Sequence, residues 1–493
     1  MIQGTTITPM ARQDAKRFRD VCCAAGYTEK RLRDATGLLV PPPTERVPPA
    51  VLEALLDGAS PFHFLARLFF FGLPVDAHEA SAALPTEFIR ACLDCGLVAK
   101  DVDVLRPVAL VVPVGDAFLA SDLQVTAWQD EEHYVPPVCD AALHLASVAI
   151  RTPVKRMLDL CGGFALHGII SSPFCEEVVT TDLNPRAEAF ALFNAALNEC
   201  DNFKAVTGDM FDAVEGQRFD RILSNPPFII TPESATTFRF TPHELDGFIH
   251  RMLSEAPQYL NDGGVMQTIC EWVEIDGQEW QERLRGWFDG NGCDVWILPA
   301  NRQLPSTYAN VVLRQTIADE SQLASHQQEW TDYFHSQSVV AIHGGFIFFR
   351  RRQGKNWFDV TQLTKPIRDS IGDAIVQGFR GRDRVFDESG DDSLLAERLR
   401  VAEGLRQVEY SHWKEFRWQR DSITLHVDNG VPVTIGIDEY VRCLLEKFDG
   451  RRAVAACLDL FAEEVGLPSE SGRKQGLQII HSMIRNGVLV VPT

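Results

Sequence analysis

Three things are scarce in this sequence of 493 residues. The first is a long hydrophobic run. No apolar stretch is long enough to cross a bilayer, and the greasiest, HFLARLFFFGL, is short, carries Arg67 and reads as a buried helix. The opening MIQGTTITPMARQDAKRF also lacks the apolar centre of a secretory leader. The second is paired cysteine. Of 12 cysteines only Cys22–Cys23 and Cys92–Cys95 stand close together, and the latter has no second pair or histidine at zinc spacing. It closes the amphipathic stretch EFIRACLDCGLV, so packed, reduced thiols are expected, with no metal and a cytoplasmic location. The third is positive charge. Lys and Arg total 47 against 68 Asp and Glu, a net −21. That balance repels phosphate backbones and excludes broad, non-specific nucleic-acid binding, although it leaves room for a local basic face.

What is present is an ordinary globular composition, 45% hydrophobic and 23% charged, in a chain long enough for two or three domains. Residues 1–128 alternate helical periods (ARQDAKRFRDVCCAAG, PAVLEALLDG, PFHFLARLFFFG, PTEFIRACLDCG) with a strand pair in LRPVALVVPVGDAFLAS, an order that suits a winged-helix-like module or a helical cap. Residues 129–352 alternate strands and helices, the pattern of a parallel sheet covered by helices. The strands are RMLDL, EVVTTD, FKAVTGD, DRILSN, GVMQTICEW, DVWILP and VVAIHGGFIFF, the last expected to run antiparallel at the sheet edge after a long connection. Residues 353–493 hold a polar loop (GRDRVFDESGDDS), a hairpin about Asp428-Asn429-Gly430 and three amphipathic helices before VLVVP, again winged-helix-like.

Four strand ends carry the chemistry. RMLDLCGGFALHG runs from a strand ending at Asp159-Leu160 into a turn where Gly162 and Gly163 let a ligand approach the backbone. Alone this is weak, since many strand-to-helix turns hold two glycines. In VVTTDLNP, Asp182 ends the next strand, where an acid can accept from both hydroxyls of a ribose; an ordinary helix cap is the plainer alternative. In VTGDMF, Asp209 can accept from an adenine amine while Met210 packs on the ring. The most specific signal is RILSNPPFII. Two prolines stiffen the turn and remove two N–H donors. The Asn225 side-chain oxygen and the Pro226 carbonyl then act as two acceptors for the two hydrogens of an –NH2 group, Pro227 holds the turn, and Phe228 offers a face for a planar group.

The series DL-x-G-G, TTDLNP, GDMF and SNPPF resembles the class I S-adenosylmethionine-dependent methyltransferases of the N5-glutamine and N6-adenine type, over residues of about 130–350. The resemblance implies an α/β, Rossmann-like seven-stranded domain between two α+β flanks, with S-adenosylmethionine as methyl donor and direct SN2 transfer to a planar nitrogen. It places Asp159, Cys161 and Gly163 in the donor turn, Asp182 and Leu183 at the ribose, Asp209 and Met210 at the adenine, and Asn225, Pro226, Pro227 and Phe228 in the substrate clamp, with Asn225 also beside the donor. Tyr134, in EEHYVPPV, would close over the donor, or pack on the sheet edge as a linker aromatic. The sequence departs from the usual D-L-G-x-G-x-G at Cys161 and Ala165. The whole arrangement also resembles large bacterial methyltransferases with a winged-helix-like N-terminal domain. For the acceptor, a protein or peptide glutamine amide comes first. An exocyclic amine of RNA (adenine N6 or guanine N2) is the alternative, with Arg350, Arg351, Arg352, Lys355, Arg380, Arg382 and Arg384 as the basic clusters. A non-catalytic binder that keeps the fold is the third.

Overall fold

The β-branched and leucine-rich runs between residues 154 and 351 do pair into one sheet. It is seen in a computed structural model that describes residues 7–42, 50, 58–124, 133–232, 243–315, 317, 319–386 and 390–491. Its strands are β1 (Val154–Leu160), β2 (Cys175–Asp182), β3 (Phe203–Thr207), β4 (Phe219–Ser224), β5 (Leu260–Ile275), β6 (Cys293–Gln303), β7 (Val339–Arg351) and β8 (Phe358–Val360). The order across the sheet is β8-β6-β7-β5-β4-β1-β2-β3. The seven expected strands are all present, and β8, a three-residue strand that begins six residues past the expected boundary at 352, extends the sheet beside β6. The pairs among β1 to β5 are parallel. Strand β7 is antiparallel, as expected, but it does not lie at the edge: it is inserted between β5 and β6. Its sequence gives the reason. Eleven consecutive residues of VVAIHGGFIFF are nearly all buried, and a strand apolar on both faces needs a neighbour on each side. The long connection before it is two helices, Pro305–Leu313 and Glu320–Ser336.

Leu158, Leu160, Ile222, Met266 and Ile297 from one face of the sheet share a core with Ile249, Met252 and Leu253 of helix Gly247–Glu255 and Leu284 of helix Trp280–Gly286. The N-terminal region packs against helix Pro185–Leu197, and its core includes Phe190 and Phe193 of that helix. It has a helix (Pro61–Leu65, continued as a π turn to Phe70), a short strand, two helices and a hairpin, with Val104–Pro107 central in a three-stranded sheet. Arg67 is buried in the π turn and donates to the Gly58 carbonyl. Cys92 and Cys95 are both packed in this core. The helix expected over PAVLEALLDG lies, apart from Ala50 and Gly58, outside the described residues. A second hairpin, Ala109–Val114 with Ala117–Asp122, docks through Asn194 and Asn198. Their amides pair with the backbone of Ala120 (2.7 and 2.9 Å) and Phe118 (2.9 and 2.7 Å) as a neighbouring strand would.

The C-terminal region is fused to the sheet by a core running from Trp296 and Phe348 to Phe379, Leu458 and Ile480. The hairpin about residues 428–430 forms, with Val427 bonded to Val433. The expected loop GRDRVFDESGDDS is instead helical at both ends, in Gly372–Val385 and Asp391–Ala396. Its charges are used internally. The Arg382 guanidinium stands 3.7 Å over the Trp296 ring and pairs with buried Asp359 at 2.8 Å, while Arg384 pairs with Glu397 at 3.0 Å. The first basic cluster is also occupied: Arg350 and Arg352 hold Asp294 at 2.6 and 2.7 Å, and Arg351 donates to the carbonyls of Pro257 and Leu260.

Candidate functional site

Strands β1, β2 and β4 end side by side, which places their turns along one edge of the sheet. After β1 the chain turns sharply, and the turn is closed by its own bonds. The Gly162 N–H donates to the Thr181 carbonyl at 2.9 Å, and that of Ala165 to Gly162 at 2.8 Å. A Cβ on Gly162 would stand 2.2 Å from the Thr180 hydroxyl, so no other residue fits there without movement. Gly163 has φ +54° and open space where a Cβ would be, a cradle a ligand can enter. Cys161 (φ 55°) and Ala165 (φ 67°), where the usual D-L-G-x-G-x-G has glycines, take the left-handed conformation that glycine adopts without strain. Each of the two departures carries a strain of about 1–2 kcal/mol.

Two acids hold this turn from beneath and beside it. Asp159 is fully buried and accepts from the Gly168 N–H at 2.8 Å, which fixes helix Leu166–Ser171. Burial, opposed by that bond and reinforced by the charge of Asp182, pushes its carboxyl up to about 8. Asp182 is half-buried. It accepts from the Gly163 N–H at 2.8 Å and the Asn184 N–H at 2.9 Å, and burial raises it above the usual carboxylate range despite those bonds. Asn184 in turn donates to the His133 carbonyl at 3.0 Å, which brings the segment carrying buried Tyr134 against the Asp182 turn. Leu183 is exposed beside it. The Cys161 thiol is pushed up by burial and by the charges of Asp182, Asp209 and Asp159, so it stays protonated.

Asp209 pairs with Arg251 at 3.3 Å and remains partly open to solvent. Met210 is buried, with its carbonyl accepting from Thr181 at 3.4 Å. It belongs to the core cluster against which both Cys161 and Phe228 also pack. The Ser224 hydroxyl donates to the Leu160 carbonyl at 2.9 Å and ties the end of β4 to the end of β1. Beyond it stand Asn225, buried Pro226, and half-buried Pro227 and Phe228. The Asn225 Oδ1 atom is buried and has no hydrogen-bond partner among the described residues. A buried acceptor left open is a cost of about 1–3 kcal/mol that a ligand donor would remove.

Two further residues belong to this neighbourhood and were missed by motif reading. Tyr308 accepts from the Ile230 N–H at 2.9 Å and donates to Glu271 at 2.5 Å. Burial, opposed by the Tyr308 hydrogen bond, pushes Glu271 up to about 7. Glu271 could have been flagged as an acid inside the apolar run TICEWV; Tyr308, in STYANVVL, carries no such signal.

Comparison with known proteins fits this geometry. Residues 139–274 match the family model of the methyltransferase small domain, and residues 24–108 match a domain of unknown function. The ribosomal protein uL3 glutamine methyltransferase of Francisella tularensis is 31% identical over 130 residues, 23% of this chain and 40% of that protein. The release factor glutamine methyltransferase of Salmonella typhimurium is 32% identical over 158 residues (29% and 57%), and that of Deinococcus radiodurans 37% over 122 (24% and 43%). The chain thus spans about half the length of these curated relatives.

Proposed function

From the premise that residues 139–274 are a methyltransferase small domain, we propose that this protein transfers a methyl group from S-adenosylmethionine to the side-chain amide nitrogen of a glutamine in a polypeptide. The observation that carries the reading is the unpartnered Asn225 Oδ1 atom, buried beside two prolines at the end of β4. With the Pro226 carbonyl it makes a pair of acceptors for the two N–H bonds of a planar –NH2 group, and Phe228 stands next in the chain to stack on it. Drawing on both N–H bonds leaves the nitrogen lone pair turned away from the clamp and favours a pyramidal, nucleophilic nitrogen.

The donor fits the residues present. The open space over Gly163 admits it, and Asp182, which accepts from the Gly163 N–H, stands beside that space. Asp182 and Leu183 would hold the ribose side, Asp209 and Met210 the adenine, and Tyr134 the near wall. When bound, the sulfonium supplies a methyl group that is already activated. The chain's own task is then to bind, to orient and to exclude water. No general base is required, since the proton can leave to water.

Three observations favour a polypeptide acceptor. The relatives are named for glutamine methylation. The arginines of the two basic clusters are largely engaged in internal pairs. A groove of about 400 Å³, lined by Leu405, Leu425, Ile437 and Leu445 with Arg442 and Glu446, lies in the C-terminal region and offers the apolar surface a peptide uses. One observation favours RNA. The hairpin Leu405–Lys414/Arg417–Val427 exposes Tyr410, Trp413, Phe416 and Trp418 among Lys414 and Arg417, the mixture of rings and cations that stacks bases. The test is methyl-labelled S-adenosylmethionine with purified protein and an extract from cells lacking it. Label lost to protease and kept after ribonuclease is expected; label lost to ribonuclease would replace the polypeptide reading with the RNA one.

A further inference from the structure

We propose that Tyr308 and Glu271 form a positioning pair that fixes the substrate turn at Ile230 and so sets the aim of the Asn225 and Pro226 acceptors. This rests on the reading of that turn as the amide clamp.

Residues 226–230 form no helix or strand, and Pro226 and Pro227 have no N–H. Prolines stiffen the turn locally but cannot tie it to the rest of the protein. Among the described residues, the hydrogen bond that ties a backbone N–H of this stretch to another element is the one from Ile230 to the Tyr308 hydroxyl, at 2.9 Å. Ile230 itself is buried in a cluster with Val273, Tyr308, Ala309 and Val312, so the anchor point sits in packed core.

The Tyr308 hydroxyl is unusually constrained for a group that could rotate. Its ring is fully buried in helix Pro305–Leu313, edge-on to Phe334 with centroids 5.9 Å apart. One lone pair takes the Ile230 N–H, and the hydroxyl hydrogen goes to Glu271 Oε2 at 2.5 Å. Without an acceptor there, the hydrogen would have no defined direction, and the oxygen could present it toward the Ile230 N–H instead. Glu271 is supplied by β5. Thr268 of that strand pairs with Ser224 at the end of β4, so Glu271, three residues further on, stands level with the turn itself. Glu271 is half-buried, and a carboxyl taken partly out of water is unfavourable unless a hydrogen bond compensates. Here it orients one hydroxyl, which orients one amide, which holds the far end of the clamp. The donor turn after β1 has no part in this chain of bonds, so breaking the Glu271–Tyr308–Ile230 chain should alter the rate of transfer and leave donor binding alone.

The pair is tested with the full-length protein and three variants. Tyr308→Phe keeps the ring and removes the hydroxyl, Glu271→Leu removes the acceptor, and Glu271→Gln keeps an acceptor oxygen. In Tyr308→Phe and Glu271→Leu, kcat is expected to fall about tenfold or more, because small misplacements of reacting groups have effects of that size. The Kd for S-adenosylmethionine, by calorimetry, is expected to stay within about twofold, and Glu271→Gln to recover most of the rate. A Tyr308→Phe enzyme with wild-type kcat would overturn the proposal, as would a Glu271→Gln enzyme as slow as Glu271→Leu. Amide hydrogen exchange read by mass spectrometry over residues 226–232 is independent of turnover. Tyr308→Phe should speed exchange there about tenfold and leave residues 161–168 unchanged; unchanged exchange in 226–232 would overturn the pair. If wild-type protein methylates no acceptor, the function proposed above falls, and exchange still decides whether Tyr308 and Glu271 hold the turn.

Discussion

The turns after β1 and β4 lie next to each other and are built in opposite ways. The β1 turn is closed on itself: Gly162, Gly163, Ala165 and Gly168 each send a backbone N–H to Thr181, Asp182, Gly162 or Asp159. The β4 turn has two prolines in place of donors and leaves the Asn225 Oδ1 atom buried and unpartnered among the described residues. A turn whose backbone N–H groups are paired is a finished shape that receives a ligand, although Asp159 Oδ1 beneath it is buried and, like Asn225 Oδ1, unpartnered among the described residues. A turn with an open buried acceptor is completed by one. On the function proposed above, the first turn binds the donor and the second supplies the gain in rate.

That division can be broken by mutation. The largest effect is expected for Asn225→Ala, in which single-turnover transfer should fall by roughly 10²- to 10³-fold, the usual loss for one preorganised group aimed at the reacting centre. Donor affinity should hardly move, and an equal loss of affinity would merge the two turns into one site. Asp182→Ala should do the reverse. It removes the acceptor that holds the Gly163 N–H, so the donor Kd should weaken by roughly 10- to 100-fold, in line with hydrogen bonds to charged groups. At saturating donor its kcat should stay within several-fold of wild type.

A smaller effect is expected from the buried acid beneath the first turn. Asp159 is raised from an unfolded value of about 4 to about 8. A raised acid favours the folded state fully below pH of about 4, and this contribution is lost as pH rises through about 8. Asp159→Asn does not titrate. Its Tm relative to wild type should therefore climb between pH 5 and pH 8, on the order of a few degrees in thermal melts. Parallel curves would place the carboxyl in a more hydrated setting. The smallest effect belongs to Cys161→Gly. Relief of the left-handed strain, about 1–2 kcal/mol, is offset by the extra freedom of glycine in the unfolded chain, roughly 0.5–1 kcal/mol. Stability should stay within about 1 kcal/mol by denaturant titration, with donor affinity unchanged. A marked loss of affinity would give the thiol a part in binding.

The same contrast explains what could be read from the sequence. Each turn is one contiguous string, so Asp159 to Ala165 and Asn225 to Phe228 were legible as units, and the strands through β4 in a parallel sheet followed from alternation. What supports the β4 turn is not contiguous. Tyr308 stands 78 residues from Ile230 and 37 from Glu271, inside an apolar helix, and no periodicity marks that meeting. The place of β7 depends on burial of both faces, which its composition hints at and its position in the chain hides. Arg350, Arg352 and Arg382 read as surface charge because their partners, Asp294 and Asp359, lie 23 to 58 residues away. Local chemistry was visible; the long-range pairing that decides whether a charge is free was not.

The central claim is that the β4 turn presents two acceptors to a planar amide. Its most direct test is the position of the transferred methyl group. Protein acceptor labelled by wild-type enzyme would be digested and fragmented by mass spectrometry. The account predicts the label on a glutamine side-chain nitrogen, absent from samples treated with Asn225→Ala. Label on a lysine amine, a carboxylate or a carbon, none of which offers two N–H bonds on a planar nitrogen, would contradict it.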